Sequence, residues 1–488
     1  MGEKRKIGLK TLAAYGCGDL YGGGSFLIIS TLFLFFLTDV IGLSPSLAGL
    51  VVFAGKAWDA VSDPLMGCIS DRTRSRHGRR RVYFLAGLLP IFVSFALLWV
   101  SVRTGSQALT FLYYFLSYIL FCTVSTMVMI PYSALPAEMS SDYRERTRLS
   151  GARMLFSQLS ALLAGTVPGY LVKNVYASNP ARGFLVVGLV FGLFYSLPWL
   201  FVFFGTWEPP ESERRAVSKG LGESFRDLVT LMRSRSYRIH IGLYLSAYTA
   251  MDILSALFVY YVTYYLGRGK LYTFCLGSML LAQLLMLPVY LWLANRIGKG
   301  KAYALGAAIV VAVSASFFFV GPAAPNGLLF ALSAGLGLGL SAVVSMPWAM
   351  LPESADVDLL IHGEERTGAV SGTFTLLRKL TQALVLWLVS IALGAIGYAP
   401  GSVQGPGTLA GIRLLFSALP LACVAVGAVL ALRYPVTPES FAIVRAEIER
   451  RKKGGSGPAD AETQAVCERV TGLPYGALAK EASRRASC

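Results

Sequence analysis

Twelve stretches of this chain stay apolar for about 20 residues or longer, the length a helix needs to cross bilayer hydrocarbon. They lie near 11–38, 45–70, 82–102, 107–138, 149–172, 183–204, 238–266, 271–294, 302–321, 326–351, 367–396 and 410–433 of a 488-residue chain. Within hydrocarbon the backbone must satisfy its own hydrogen bonds, so such segments are helical. Hydrophobic residues make up 55% of the sequence and charged ones 15%, which excludes a water-soluble enzyme or binding module. The expected fold class is an all-α polytopic membrane protein with twelve transmembrane helices.

Lys and Arg mark the cytoplasmic side of short loops. The N-terminus carries Lys4, Arg5, Lys6 and Lys10; the loop after the second span carries Arg72, Arg74, Arg76, Arg79, Arg80 and Arg81; the loop after the eighth carries Arg296, Lys299 and Lys301. The facing loops are poorer, Arg268 and Lys270 excepted. Both termini are therefore expected in the cytoplasm, at the plasma (inner) membrane. The net charge of +17 sits mostly beside apolar helices, so its expected partner is anionic inner-leaflet lipid and not nucleic acid. The first apolar run is long and has no small-residue cleavage pattern, so it is read as a retained span and not a signal peptide.

Cys17, Cys68, Cys122, Cys275 and Cys423 fall within spans, and Cys467 and Cys488 in the tail, with no metal-ligand or disulfide spacing. His77, His240 and His362 sit at cytoplasmic helix ends or loops and read as solvated residues in preference to pH sensors.

The chain repeats itself at about half its length. Pro131-Tyr132-Ser133-Ala134-Leu135-Pro136-Ala137-Glu138 recurs as Pro347-Trp348-Ala349-Met350-Leu351-Pro352-Glu353, and Glu145-Arg146-Thr147 as Glu365-Arg366-Thr367. Ser70-Asp71-Arg72 with Gly78-Arg79-Arg80 is echoed by Ala294-Asn295-Arg296 with Gly298-Lys299-Gly300-Lys301. Three matches in one order, separated by 216 to 224 residues, indicate internal duplication. The expected organisation is a six-helix bundle over 1–204, a cytoplasmic linker over 205–237 and a second six-helix bundle over 238–433. The linker carries Pro209-Pro210 and an amphipathic stretch near 220–233. In the tail, 434–488, a helix over Glu439 to Lys453 precedes Gly454-Gly455-Ser456-Gly457-Pro458, and 459–488 is expected to be loosely ordered.

The second span breaks the apolar rule. Lys56-Ala-Trp-Asp59-Ala-Val-Ser-Asp63-Pro64 puts two carboxylates and an ammonium at membrane depth, where each charge costs roughly 2.5 to 3.5 kcal/mol on insertion scales. Asp59 and Asp63 share a helix face, with Lys56 one turn away. One ammonium cannot neutralise two carboxylates, which points to a bound cation or a proton. Pro64 frees a backbone carbonyl a turn earlier, and Ser62 adds an oxygen, both suited to a hard ion such as Na⁺.

The duplicated layout with a basic loop after spans two and eight resembles the major facilitator superfamily. Tyr15-Gly16-Cys17-Gly18-Asp19, Thr38-Asp39-Val40-Ile41-Gly42-Leu43, Trp58 to Gly67, Asp142-Tyr143-Arg144-Glu145-Arg146-Thr147 and Arg378-Lys379 resemble, more narrowly, the glycoside-pentoside-hexuronide:cation symporter family, melibiose permease-like, from about residue 8 to 453. The resemblance implies that Asp59 and Asp63 form the cation site, metal-ligating if Na⁺ is the ion, with Thr126 assisting. It implies a substrate site that includes Arg153 and Lys379. Two acids of the family's site are missing, at Met129 and within Gly22-Gly23-Gly24, and Asp19 is expected to stand in from one turn away. Tyr132 is the aromatic that would stack on a sugar ring, with Trp348 its counterpart in the other half.

Losing an acid while keeping Arg153 and Lys379 makes the cavity more positive, so a hexuronide or the phosphate of a lysolipid fits as well as a neutral glycoside. Arg378 is expected to face headgroups or a helix end. Asp252 reports protonation or lines the cavity of the second half, or else packs against a neighbouring hydroxyl. Asp71, Arg72, Asp142, Arg146, Glu365 and Arg366 are placed to trade partners as the halves part and meet; positive-inside retention explains the arginines equally well but not the interleaved acids.

The expected function is cation-coupled symport of a sugar, glycoside or hexuronide by alternating access, or alternatively of an anionic amphiphile such as a lysophospholipid. No enzyme activity and no cofactor is expected beyond the coupling ion, Na⁺, Li⁺ or H⁺. The small-molecule substrate, a monovalent cation and membrane lipid are the expected partners, and the monomer the working unit. The rival readings are a membrane-embedded lipid enzyme, for which no acid/base or metal cluster stands near the interface, and a receptor without turnover.

Overall fold

The computed structural model describes residues 7–140, 143–208, 229–363, 366–400, 402–452 and 459–478. The first span is broken, α1 (Leu9–Gly16) then α2 (Asp19–Ile28), which runs on through wide turns to Ile41 and stops at Gly42. Gly42 has φ 84°, a left-handed conformation that glycine adopts without strain. The second span, α3 (Pro45–Arg72), starts with Pro45 in its first turn, where proline's missing N–H leaves no bond unmade. Next come α4 (Arg81–Ala86) and α5 (Leu88–Leu98), α6 (Gln107–Met139), α7 (Tyr143–Tyr170), and α8 (Pro180–Ser196) with α9 (Pro198–Gly205).

The second set is α10 (Arg235–Tyr260), α11 (Tyr272–Ile297), α12 (Lys299–Phe319), α13 (Asn326–His362), α14 (Thr367–Ala395) and α15 (Pro406–Leu432). Among the described residues, nine helices are long and apolar enough to span a membrane. The other three expected spans are also helical, and each has a reason to fall short. The first and third are broken, at Cys17-Gly18 and at Gly87, and the second carries the three charges.

Two seams join the first and second sets. Along one, α3 meets α14: a Cβ at Gly49 would lie 2.4 Å from that of Ser390, so only glycine admits this approach. Phe53 and Trp387 pack at 5.4 Å between centroids on the same seam. Along the other, α7 meets α11, where Gly169 lies against Tyr272 and Thr273. At the end remote from the arginine-rich loops, Asp39 accepts from Tyr398 at 2.6 Å and from Tyr264, and Thr38 bonds Tyr260 at 2.9 Å, tying the two sets together.

At the arginine-rich end, charges pair within a set. Arg79 and Arg80 hold Glu138, Arg80 holds Asp71 at 2.8 Å, and Lys299 holds Glu353 at 2.6 Å. Arg366 lies 3.5 Å from Asp358 and donates to Thr230 at 2.9 Å. Of the residues expected to trade partners, Asp71 and Arg366 are thus engaged in their own half and Arg72 is exposed. Asp142 and Glu365 lie outside the described residues, as do the side chain of Arg146 and linker residues 209–228.

Two expectations need correction. His240 and His362 are not solvated. His240 is fully buried, with Nε2 donating to the Pro347 carbonyl and Nδ1 facing Ser354 Oγ, both at 2.7 Å, and so binds α10 to α13. His362 is 2.9 Å from Asp358. The tail is also more structured than its polar composition suggests. After α16 (Pro438–Lys452), α17 (Ala461–Thr471) is capped by Asp460, which accepts from the Thr463 N–H at 3.1 Å, and it buries Val466, Cys467 and Val470 on one face. Ser236 Oγ donates to the Val470 carbonyl, docking α17 on the start of α10.

Candidate functional site

On α3 a helical turn separates Lys56, Asp59 and Asp63, so all three project from one face. Asp59 is 1% exposed and Lys56 4%. Lys56 Nζ lies 3.7 Å from Asp59 Oδ2 and 4.1 Å from the centroid of the Phe26 ring, a cation–π arrangement. Thr126, on α6, donates to Asp63 Oδ1 at 2.8 Å and stands 3.2 Å from Ser62 Oγ. Asp59, Asp63, Ser62 and Thr126 are therefore gathered as the sequence grouped them.

The charge count differs from the sequence reading. Lys379 reaches across from α14, its ammonium paired with Asp63 and 3.9 Å from Asp59 Oδ2. Two ammoniums, not one, face the two carboxylates. Asp59 Oδ2 is nevertheless without a hydrogen-bond partner among the described residues. An ammonium thus stands among hard oxygen donors, where a small cation would find the same ligands.

A cavity of about 480 Å³ opens beside this cluster, between the two sets of helices. Lys56 and Lys379 line it, with Gly22 and Gly23 of α2 and Trp348 of α13. So does Arg378, which corrects the expectation that it faces headgroups. Its guanidinium grips Asp252 through two bonds of 2.6 and 2.8 Å, and Asp252 also lines the cavity, one of the readings left open for it.

Asp19 and Arg153 pair at 3.1 Å between α2 and α7 and are not in the wall of this cavity. Tyr132 is completely buried: it stacks on Tyr15 at 4.6 Å, its hydroxyl donates to the Tyr15 carbonyl at 2.8 Å, and Arg153 lies 5.3 Å from its ring. Its ring supports Arg153 and is closed to a sugar, whereas Trp348 is 38% exposed. Sequence reasoning misplaced Arg378 and assigned no role to Tyr248 or Gln382. The signal was present: Tyr15-x-x-x-Asp19 recurs as Tyr248-x-x-x-Asp252, and Arg153 has Arg378 as its counterpart.

The pairs balance: Lys56, Arg153, Arg378 and Lys379 against Asp19, Asp59, Asp63 and Asp252. The mid-membrane cluster is neutral without any ion. One added monovalent cation leaves it at +1.

Comparison with known proteins agrees with this architecture. A sequence profile for the family described as MFS/sugar transport protein matches residues 14–438. The chain is 28% identical to a putative glycoside/cation symporter of Escherichia coli (strain K12), across 94% of this chain and 99% of that one. It is 26% identical to a sodium-dependent lysophosphatidylcholine symporter of Danio rerio, across 86% and 85%. Among solved structures, a bacterial homolog of the human lysosomal transporter Spinster, inward-facing and unoccupied, superposes with a TM-score of 0.62 at 12% identity, covering 90% of this chain and 97% of that one.

Proposed function

The chain belongs to the MFS/sugar transport protein family, and from that premise we propose that it is a cation-coupled symporter of a glycoside or hexuronide. The observation that carries the reading is Lys379 of α14 set between Asp59 and Asp63 of α3 at the edge of the cavity. The ammonium holds the place of the coupling ion. When Na⁺, Li⁺ or H⁺ takes the carboxylates, with Thr126 and Ser62 as further oxygens, Lys379 is released to the cavity, now at +1. A ligand that meets Lys379 and Trp348, and reaches Arg153 and Asp19 as the halves rearrange, keeps the lysine from returning. By linkage the ligand tightens the ion as much as the ion tightens the ligand.

The Lys379–Asp63 pair is part-buried and its separation leaves both charges uncompensated, so the lysine leaves Asp63 when another positive charge arrives to replace it. The positive-inside distribution supports cytoplasmic arginine-rich loops and termini, with the Asp39 end, where the two halves are tied, on the outer side. The plasma membrane is the compartment that suits such uptake.

Proteoliposomes given an inward Na⁺, Li⁺ or H⁺ gradient should accumulate 4-nitrophenyl β-D-glucuronide or glucoside above equilibrium, and collapsing the gradient should stop it. Accumulation that persists at full rate in Asp59→Cys or Asp63→Cys would refute coupling through this pair. A second reading, symport of an anionic amphiphile such as a lysophospholipid, draws on Leu27, Leu162, Leu280, Leu284 and Val344, which give the cavity an apolar wall. Gradient-driven uptake of a lysophospholipid, with neither glycoside accumulated, would select it.

A further inference from the structure

The chain carries one polar constellation twice. Tyr15 and Asp19 stand one helical turn apart in the first span, and Tyr248 and Asp252 one turn apart in the seventh. Each carboxylate pairs with an arginine, and each arginine lies over a tyrosine, Arg153 at 5.3 Å from the Tyr132 centroid and Arg378 at 4.6 Å from that of Tyr248. Only the second copy is built into the cavity wall. There Asp252, 3% exposed, accepts two guanidinium bonds from Arg378 and a third, of 3.1 Å, from Gln382 Nε2. Beside them Trp348 donates Nε1 to Tyr248 Oη at 2.7 Å, which turns both rings toward the same space.

Resting on the symport reading, we propose that Asp252, Arg378 and Gln382 form a ligand subsite in the second half that recognises two adjacent ring hydroxyls of a pyranoside, with Trp348 against the apolar face of the ring. Adjacent hydroxyls each donate and accept. The carboxylate, with three of its roughly four acceptor sites already filled, accepts a hydrogen bond from one hydroxyl, and the guanidinium and amide donate to the oxygens of both. Arg378 spends two of its five N–H groups on Asp252 and makes no other hydrogen bond among the described residues. The ion pair is neutral as a unit, so it recognises hydroxyl geometry without selecting ligand charge; that selection falls to Lys379. A ligand lacking one hydroxyl leaves part of this buried fork unmatched, which is how such sites discriminate.

The test uses the full-length protein in detergent with saturating coupling ion, and titrates 4-nitrophenyl β-D-glucopyranoside, its deoxy analogues and the β-D-glucuronide calorimetrically. D252N/R378Q removes the pair without leaving a lone buried charge, and should weaken both glycosides by roughly 10- to 100-fold. The swap D252R/R378D keeps an ion pair but exchanges donor for acceptor, and should bind as weakly. If the pair only braced α10 against α14, the swap would restore binding, and that result overturns the proposal. So does D252N/R378Q binding within twofold of wild type. Ion-dependent thermal stabilisation retained by both variants reports that they fold. Without any variant, wild type should bind at least one monodeoxy glucoside about tenfold more weakly than the parent, and equal binding of all of them overturns the subsite. Wild type that binds neither glycoside removes the symport reading and the subsite together, whereas a variant that binds as wild type does removes the subsite alone.

Discussion

The two halves carry matching arginine–aspartate pairs in different surroundings. In the first half the aromatic partners are sealed: Tyr15 is 1% exposed and Tyr132 not at all, each covering the other. In the second, Trp348 opens on the cavity and the carboxylate is gripped through three bonds, against a single contact between Arg153 and Asp19. The duplicated chemistry thus has its aromatic partner covered in one copy and open to the cavity in the other, while the Arg153 side chain, 34% exposed, is itself more open than that of Arg378 at 17%. Which role a copy plays depends on what covers the ring, and the residue type does not reveal it.

The sharpest way to break this contrast is to truncate the two aromatics. Tyr132→Ala should lower stability by about 3–5 kcal/mol, as for a buried large aromatic, while ligand affinity stays within about threefold. Trp348→Ala should do the reverse, losing about tenfold in affinity with less than about 1 kcal/mol in stability. Thermal unfolding and calorimetric titration on both variants decide it, and equal effects on both quantities would erase the distinction.

The seam between the halves comes next. Gly49→Val forces a side chain into Ser390 and should destabilise by about 1–3 kcal/mol, whereas Gly67→Ala, on the same helix with open space around it, should change stability by less than about 0.5 kcal/mol. Lys379→Gln removes the ammonium that competes for Asp63, so Na⁺ should bind about tenfold more tightly while the ligand no longer alters ion affinity. Weaker ion binding in this variant would mean that the lysine helps to build the ion site.

The smallest effect concerns the tail, an appendage docked on the second half. Burial alone would raise the Glu447 carboxyl, but bonds from Arg450, Tyr475 and Arg451 hold it down from 4.5 to about 2. A carboxyl held low in the docked form stabilises it fully above about 4.5, and that contribution is lost as pH falls through about 2. Protease protection of the 461–478 segment should fall across that window, and Glu447→Gln should flatten the dependence.

Much of this was legible in the residues. Span positions follow largely from hydropathy, because bilayer thickness is a fixed ruler, and Asp59, Ser62 and Asp63 lie together in one span, whereas Thr126, in the fourth, followed from the family resemblance. Lys379 was legible as a cavity residue but not as the partner of Asp63, since nothing in a one-dimensional pattern sets the register of two helices 316 positions apart. Arg378 was misjudged because adjacent helical residues diverge by about 100°, and a wide cavity admits both. His240 looked solvated from its place near a loop; the Pro347 carbonyl that binds it is 107 residues away. In the tail, charged residues masked the short apolar stripe of Val466, Cys467 and Val470.

On the proposed symport reading, a lysine that stands in for the driving ion also guards against slippage. A carrier whose empty ion site bristled with bare negative charge would either admit stray cations without cargo or stall, and each futile cycle would dissipate the gradient that powers it. With a resident positive charge tethered to the opposite half, the vacant transporter is electrically satisfied and free to reset, and an ion that displaces the lysine without cargo is expelled again when the lysine returns. Thrift of that kind asks for nothing more elaborate than one long flexible side chain and two acids a helical turn apart.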